Sequence, residues 1–242
     1  MGLRYSAKPV VAAPFGLTLG GGCEVSMGAD RIVAHAELYI GLVEVGVGVI
    51  PAGGGCKEML LRCGDAMQAK FAKIPPQARW AKVIDGGPFP KVQMAFETIA
   101  FAKIATSAKE GQEFRYLRPT DKITLSRDTL ISEAKQEVLT MAKGYVPPQP
   151  ADKILVPGRG GFYALKSAIE GFRARNMITE HDAVIVLKLA HVLSGGDRPV
   201  AGTVTEQQLL DLEREVFLQL VGMEKSQARM QNMLMTGKPL RN

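Results

Sequence analysis

Short apolar runs fill the first 55 residues, and glycine or proline interrupts them every few positions. This punctuation limits the local structure to short elements joined by tight turns. Three runs have the length and apolar content of a strand, namely residues 9–13, 31–34 and 38–42. The glycines at positions 20–22 predict a turn, and residues 24–29 predict a short helix. The pattern is typical of a strand-turn-helix arrangement.

Two glutamates lie inside this apolar, glycine-rich segment. Glu24 ends the run Leu-Gly-Gly-Gly-Cys-Glu, and Glu44 interrupts the apolar residues 41–46. Burial disfavours a charged carboxylate, so each acid needs a partner or a raised pKa. Glu24 also fits a charge at a helix N-terminus, and Glu44 also fits a strand-end residue that faces solvent. As a pair they predict acid/base chemistry beside glycine N–H groups that can bind a developing negative charge.

The rest of the sequence has a helical pattern. Helices are predicted at residues 57–62, 91–107 and 129–143, and three or four amphipathic helices between residues 161 and 235. An irregular insertion is predicted between Pro75 and Pro90, and Gly144 is the predicted cap of the third helix. The run Pro-Pro-Gln-Pro that starts at Pro147 predicts a stiff boundary. We therefore divide the chain into residues 1–146, which carry the motifs, and the mainly helical residues 147–242.

Charge and cysteine content exclude several classes of partner. The formal net charge is +6, and the basic residues are scattered instead of clustered, which argues against nucleic acid. The three cysteines form no paired framework, which favours the reducing cytoplasm. No apolar run reaches the roughly 20 residues of a transmembrane helix. We expect no membrane insertion.

Several well-known site motifs are missing from the sequence. Neither glycine run continues as a P-loop or as a Rossmann fingerprint, and no serine occupies a Gly-x-Ser-x-Gly elbow. No metal site is predicted, because histidines are few and the cysteines lack the close spacing of zinc ligands. His35, His181 and His191 are isolated in the sequence, and each is expected to be a surface or core residue.

Five linked segments together resemble the crotonase (enoyl-CoA hydratase/isomerase) superfamily in order and in spacing. They are residues 8–13, 19–24, 29–32, 41–51 and 53–55. The resemblance implies an α/β fold with the ClpP-like spiral core, followed by a helical region for oligomerisation and for covering the active site. Crotonases have further strands before the Lys-Pro strand, whereas only residues 1–7 precede it here. We therefore expect a spiral core that lacks its N-terminal strands.

The end of the chain adds a second resemblance. Residues 211–215 and 237–242 are similar to the C-terminal end of bacterial bifunctional 3-hydroxyacyl-CoA dehydrogenases. This implies that NAD belongs to a dehydrogenase part outside the chain, and that the chain itself needs no cofactor. Either the reading frame begins inside a longer protein, or another chain supplies the missing strands. The chain alone is expected to have little hydratase activity.

The family's functional residues can be carried over by position. Glu24 and Glu44 match its two catalytic glutamates, and the N–H of Gly21 matches one donor of its oxyanion hole, with Gly20 and Gly22 beside it at the acyl-CoA site. The implied reaction is addition of water to a trans-2-enoyl-CoA in fatty acid β-oxidation. Isomerisation of the double bond, or a catalytically incomplete docking module, are the alternatives. The implied partners are an acyl-CoA substrate, further copies of the chain in a trimer or dimer, and a thiolase.

Overall fold

The computed structural model describes residues 2–73 and 89–242. The strands are β1 (Val11–Ala12), β2 (Leu17–Leu19), β3 (Arg31–His35), β4 (Tyr39–Gly41), β5 (Ile104–Ala105), β6 (Lys122–Thr124), β7 (Ile154–Val156) and β8 (Gly202–Val204). The helices are α1 (Gly21–Met27), α2 (Gly55–Ala72), α3 (Pro90–Ala100), α4 (Ala108–Glu113), α5 (Leu130–Ala142), α6 (Gly158–Ala174), α7 (Glu180–Leu193), α8 (Glu206–Val221) and α9 (Glu224–Thr236). A 3₁₀ helix covers Glu44–Val47.

The strands form three small sheets. One has the order β1-β3-β6 with parallel pairing, and another has the order β2-β4-β5, in which β5 runs antiparallel to β4. The third sheet pairs β7 with β8 in antiparallel register. The chain alternates between the first two sheets, so that α1 and the 3₁₀ helix each follow a strand of the second sheet. This alternation brings the two acids to the same end of that sheet.

Buried apolar side chains from both parts of the chain form one core cluster. It includes Ile32, Ile40, Leu42, Met59, Leu60, Leu189, Leu193, Leu209 and Leu220. Burying each such side chain contributes roughly 1.5–3 kcal/mol, so this cluster holds the C-terminal helices against the segment that carries the acids. The division into residues 1–146 and 147–242 stays a prediction.

Several predicted elements are confirmed. The strands expected at 31–34 and 38–42 occur as Arg31–His35 and Tyr39–Gly41, and the helix Leu130–Ala142 is followed by Gly144 at φ +81°. Four helices fill the region from residue 158 onward, and α2 extends the helix expected at 57–62. The insertion predicted between Pro75 and Pro90 lies almost wholly outside the described residues.

Other predictions need correction. The strand expected to be buried at residues 9–13 is shorter and half-buried, because β1 is the edge strand of its sheet. The helix expected at residues 91–107 ends at Ala100, after which Ala102 adopts φ +45° and β5 pairs with β4. The spacing of apolar residues predicts a helix throughout residues 91–107, but the pairing of β5 with β4 ends the helix earlier. The β7–β8 pair joins segments about fifty residues apart and was not predicted.

Two further observations concern the whole described structure. No helix within residues 2–73 and 89–242 is long and apolar enough to cross a membrane. The three cysteines, Cys23, Cys56 and Cys63, are all buried and free.

Candidate active site

Glu24 lies in the first turn of α1 and reaches the start of α2. Its Oε1 accepts hydrogen bonds from the backbone N–H groups of Gly53 and Gly55, each at 2.8 Å. Both donors belong to the segment that opens α2, where backbone N–H groups lack carbonyl partners within the helix. Glu24 therefore carries charge near its own helix start and also satisfies the N-terminal donors of a second helix.

The glycines around Glu24 allow the backbone to approach its carboxyl group. A Cβ atom at position 53 would lie 2.6 Å from Glu24 Oε2, and one at position 55 would lie 2.8 Å from Glu24 Oε1. Any larger residue at these two positions would displace the carboxylate. The glycine content of this loop is thus explained by the space that the carboxylate occupies.

Glu44 is the first residue of the 3₁₀ helix, just beyond β4, and it is half-buried. A Cβ atom on Gly20 would lie 3.2 Å from Glu44 Oε1, so the carboxyl group lies against the turn that opens α1. Glu44 Oε2 is buried and has no hydrogen-bond partner among the described residues. The structure therefore brings the two sequence-predicted acids to the same glycine turn.

Burial shifts the titration of both acids. It raises the pKa of Glu24, although the N–H groups of Gly55 and Gly53 oppose the shift by stabilising the carboxylate. Burial and, to a smaller extent, the nearby charge of Glu24 together raise the pKa of Glu44 to about 7. Of the two acids, Glu24 has donors that favour its charged form, and Glu44 is set to exchange a proton near neutral pH.

The glycine turn itself differs in part from the sequence prediction. Gly20 adopts φ +57°, and its N–H donates to the carbonyl of Gly41 at 2.8 Å, so this donor is already used. Helix α1 begins at Gly21, whereas a turn was expected through Gly22. Gly21 and Gly22 are exposed and lie in the first turn of α1, where N–H groups have no intrahelical acceptor. The Gly21 N–H remains the candidate donor to an anionic oxygen.

Sequence reasoning missed a third acid at this site. Glu213 on α8 is fully buried, and its two carboxylate oxygens accept from the N–H groups of Gly54 at 2.9 Å and Lys57 at 2.6 Å. Burial, together with the charge of Glu24, raises its pKa to about 8, although the N–H groups of Lys57 and Gly54 oppose the shift. A signal existed, because Glu213 occupies the same helical face as buried Leu209 and Val216.

A buried ionic network lies next to this helix start. Lys57 Nζ is 2.6 Å from Glu58 Oε1 and 3.1 Å from Glu206 Oε2. Burial opposes ionisation of Glu58, yet the cations Lys57, Arg62 and Arg4 lower its pKa to about 2. The network fixes the first turn of α2, which donates to Glu24 and Glu213.

A cavity of about 320 Å³ opens beside the network. Its lining includes Arg4, Glu24, Gly53 and Lys57. Glu24 thus faces open space as well as its two N–H donors. Within the described residues, no group of three His, Cys, Asp or Glu side chains is arranged to hold a metal ion.

The relatives of this chain in sequence include the following two proteins, although no family model matches the chain. The chain is 45% identical over 246 aligned residues to a probable 3-hydroxyacyl-CoA dehydrogenase of Bacillus subtilis (strain 168). This alignment covers all of this chain and 28% of that protein. A short-chain-enoyl-CoA hydratase of Clostridium acetobutylicum is 42% identical over 71 residues, or 28% of this chain and 27% of that protein. The chain thus spans little more than a quarter of either relative.

Comparison with solved structures addresses the fold. The structure of EchA1_1 from Mycobacterium paratuberculosis superposes with a TM-score of 0.51 at 15% sequence identity. The match covers 98% of this chain and 64% of that chain. At this identity the likeness describes the arrangement of helices and strands alone.

Proposed function

We propose that this chain, which has the crotonase fold and resembles the crotonase part of bifunctional 3-hydroxyacyl-CoA dehydrogenases, adds water to trans-2-enoyl-CoA thioesters. One observation carries the proposal. Two half-buried carboxyl groups, those of Glu24 and Glu44, lie against the glycine turn that opens α1, and their surroundings favour different protonation states. Water addition needs both a base and an acid at one site.

Glu24 is assigned as the base. Two backbone N–H groups hold its Oε1, which stabilises the carboxylate and leaves Oε2 to accept a proton from water. The water oxygen then forms a bond to the β-carbon, and electron density moves to the thioester oxygen. The N–H of Gly21, at the start of α1, is assigned to stabilise that oxygen.

Glu44 is assigned as the acid. Its pKa of about 7 keeps a large protonated fraction at neutral pH, and its buried Oε2 has no competing partner among the described residues. It delivers its proton to the α-carbon as the enolate collapses. The cycle leaves a proton on Glu24 and a charge on Glu44, and exchange with solvent restores both.

The wider assignment follows the Bacillus subtilis relative. We propose that the chain acts within a larger 3-hydroxyacyl-CoA dehydrogenase/enoyl-CoA hydratase of fatty acid β-oxidation, and that NAD binds outside these residues. A trimer or dimer of the complete gene product, and contact with a thiolase, are the assemblies expected of such a protein. Analytical ultracentrifugation of the complete gene product tests the first of these.

The experiment for the site itself measures binding and turnover. Acetoacetyl-CoA is titrated calorimetrically against the complete gene product, with free CoA as the matched control. We expect the thioester to bind more tightly than CoA, because only the thioester oxygen reaches the donors at the start of α1. Crotonyl-CoA hydration is then followed by loss of the enoyl-thioester absorbance. Equal binding of the two ligands, or faster isomerisation of a 3-enoyl-CoA than hydration, would count against the proposal.

A further inference from the structure

The last helix touches the segment that carries Glu44. Gly48 directly follows the 3₁₀ helix and adopts φ +93°. A Cβ atom there would lie 2.8 Å from the Cα of Ser226, in the first turn of α9. The two backbones therefore approach as closely as only glycine allows. The 3₁₀ helix of Glu44 is packed against the start of α9.

A buried hydrogen-bond chain joins these segments to α7. Ser226 Oγ donates to the carbonyl of Gly48 at 2.6 Å, and His181 Nε2 lies 2.9 Å from Ser226 Oγ. The hydroxyl of Ser226 has a single proton, and it donates this proton to Gly48. Ser226 Oγ must therefore accept a hydrogen bond from His181, whose ring carries a hydrogen on Nε2. Ser226 is fully buried and His181 is buried. Both polar groups are satisfied only while α7, α9 and Gly48 keep their relative positions.

A second buried contact fixes α9 one turn further along. Arg229 is almost completely buried, and its guanidinium bonds to Asp182 Oδ1 at 2.6 Å and to Asn242 Oδ1 at 2.8 Å. Asp182 is the neighbour of His181 at the start of α7. The start of α9 is therefore attached to α7 at two adjacent points and has little freedom to move.

Hydrogen bonds within the 3₁₀ helix connect the position of Gly48 to that of Glu44. The N–H of Gly48 donates to the carbonyl of Val45, and the N–H of Val49 donates to the carbonyl of Glu44 at 3.1 Å. A displacement of the Gly48 carbonyl would therefore move the backbone of Glu44 itself. The side chain of Glu44 has no compensating anchor at Oε2 within the described residues.

We propose that His181 and Ser226 are positioning residues, which hold the 3₁₀ helix in the orientation that directs the Glu44 carboxyl group at its reaction partner. The inference rests on the proposed function, because the orientation of Glu44 affects turnover only if Glu44 reacts. Neither residue touches the substrate in this proposal. Helix α9 thus contributes to the site indirectly, through the hydrogen bond from Ser226 to Gly48.

The first test compares two buried serines. Ser226→Ala removes the hydroxyl that holds Gly48, whereas Ser194→Ala removes a fully buried hydroxyl without a hydrogen-bond partner in the described structure. In the complete gene product we expect Ser226→Ala to lower kcat about 10-fold and to leave KM within about twofold, because orientation is lost and binding is not. Ser194→Ala should leave both constants unchanged. Equal kinetics for the two variants would overturn the proposal.

A rescue series at His181 tests the donor directly. His181→Gln keeps an N–H at similar reach of Ser226, and His181→Leu removes it. We expect His181→Gln to retain most of kcat and His181→Leu to reproduce the loss of Ser226→Ala. Equal losses in the two histidine variants would show that packing, and not the donated hydrogen bond, is responsible.

A titration separates this inference from the proposed function. The pKa of Glu44 is measured by ¹³C NMR on glutamate-labelled protein, with Glu44→Gln used to assign the signal. When the 3₁₀ helix loosens, water reaches the carboxyl group, so Ser226→Ala should lower this pKa by about half a unit or more. An unchanged pKa would overturn the positioning role. If the wild type hydrates no crotonyl-CoA, the proposed function fails, and this titration alone decides whether Ser226 positions Glu44.

Discussion

The start of α2 and the 3₁₀ helix of Glu44 differ in the hydrogen bonds that they provide to a buried carboxyl group. At the start of α2, four N–H groups donate to two acids, so Glu24 and Glu213 each receive two hydrogen bonds. In the 3₁₀ helix, Glu44 Oε2 is buried without a hydrogen-bond partner in the described structure. One region holds its carboxyl groups in place by backbone hydrogen bonds, and the other leaves a carboxyl group that can exchange its proton near neutral pH.

The difference has an energetic meaning. Hydrogen bonds offset part of the cost of burying a carboxyl group, whereas a buried polar group without a partner costs roughly 1–3 kcal/mol. The start of α2 therefore satisfies the carboxyl groups that it buries, whereas Glu44 keeps an unsatisfied carboxyl oxygen at a cost in stability. Groups kept at such a cost are typical of functional sites. The following predictions try to break or sharpen this contrast, beginning with the largest expected effect.

Removal of the Glu213 carboxylate should be the most damaging change. Glu213→Met keeps a side chain of similar length but leaves the buried N–H groups of Gly54 and Lys57 without an acceptor. At roughly 1–3 kcal/mol for each group, we expect the free energy of unfolding to fall by about 4 kcal/mol. Urea denaturation followed by circular dichroism measures the change.

A matched control lies on the same helix. Glu215 is exposed, and Glu215→Met should change the free energy of unfolding by no more than about 0.5 kcal/mol. If Glu213→Met were equally mild, the start of α2 would not depend on its carboxylate partners. The contrast with the 3₁₀ helix would then be lost.

Loss of either proposed catalytic acid should come next. In the complete gene product, Glu24→Gln and Glu44→Gln should each slow crotonyl-CoA hydration by at least about 100-fold, the lower range for a general acid or base. Glu37→Gln, at an exposed acid between the two, should keep full activity. Near-full activity in Glu24→Gln or Glu44→Gln would disprove the two-acid mechanism.

Features that depend on neighbouring residues in the sequence could be predicted, and features that depend on distant residues could not. The turn at Gly20, the helix that carries Glu24 and the loop of Gly53 are determined by contiguous glycines and apolar runs, and these could be predicted. Their proximity still required the structure, because the sequence alone also allowed a helix N-terminal charge for Glu24 and a solvent-facing strand end for Glu44. The sequence therefore predicts the turn, helix and loop of this segment, but not the groups that its side chains contact.

Long-range contacts explain what could not be predicted. Glu213 meets Gly54 across a separation of 159 residues, and Ser226 meets Gly48 across 178 residues. Such contacts depend on the packing of whole helices, which no local pattern encodes. The same reason applies to β5, where pairing with β4 ends a segment whose apolar spacing was helical.

The third prediction uses the pH dependence of stability. Folding raises the pKa of Glu44 from about 4.5 to about 7, so between these values the folded state keeps a proton that the unfolded state releases. Stability is therefore lost as pH rises through this window. Glu44→Gln lacks the effect, and its stability relative to the wild type should rise by roughly 3 kcal/mol from pH 4.5 to pH 7.5.

Parallel urea denaturation of the two proteins across this pH range measures that difference. Above the folded pKa the difference should stay constant, because both states of the wild type are then deprotonated at this residue. A difference that does not depend on pH would mean that Glu44 has an ordinary pKa.

The smallest effect is expected from one added methyl group. In Gly53→Ala the new Cβ would lie 2.6 Å from Glu24 Oε2, whereas Gly46→Ala places a Cβ where no atom lies within 4 Å. Because the flexible carboxyl group can move aside, Gly53→Ala should change stability little and lower kcat about 10-fold, as expected when a reacting group is misplaced by a fraction of an ångström. Gly46→Ala should leave kcat unchanged. Equal kcat values in the two variants would show that Glu24 tolerates displacement, so the fixed geometry at the start of α2 would serve the fold and not the reaction.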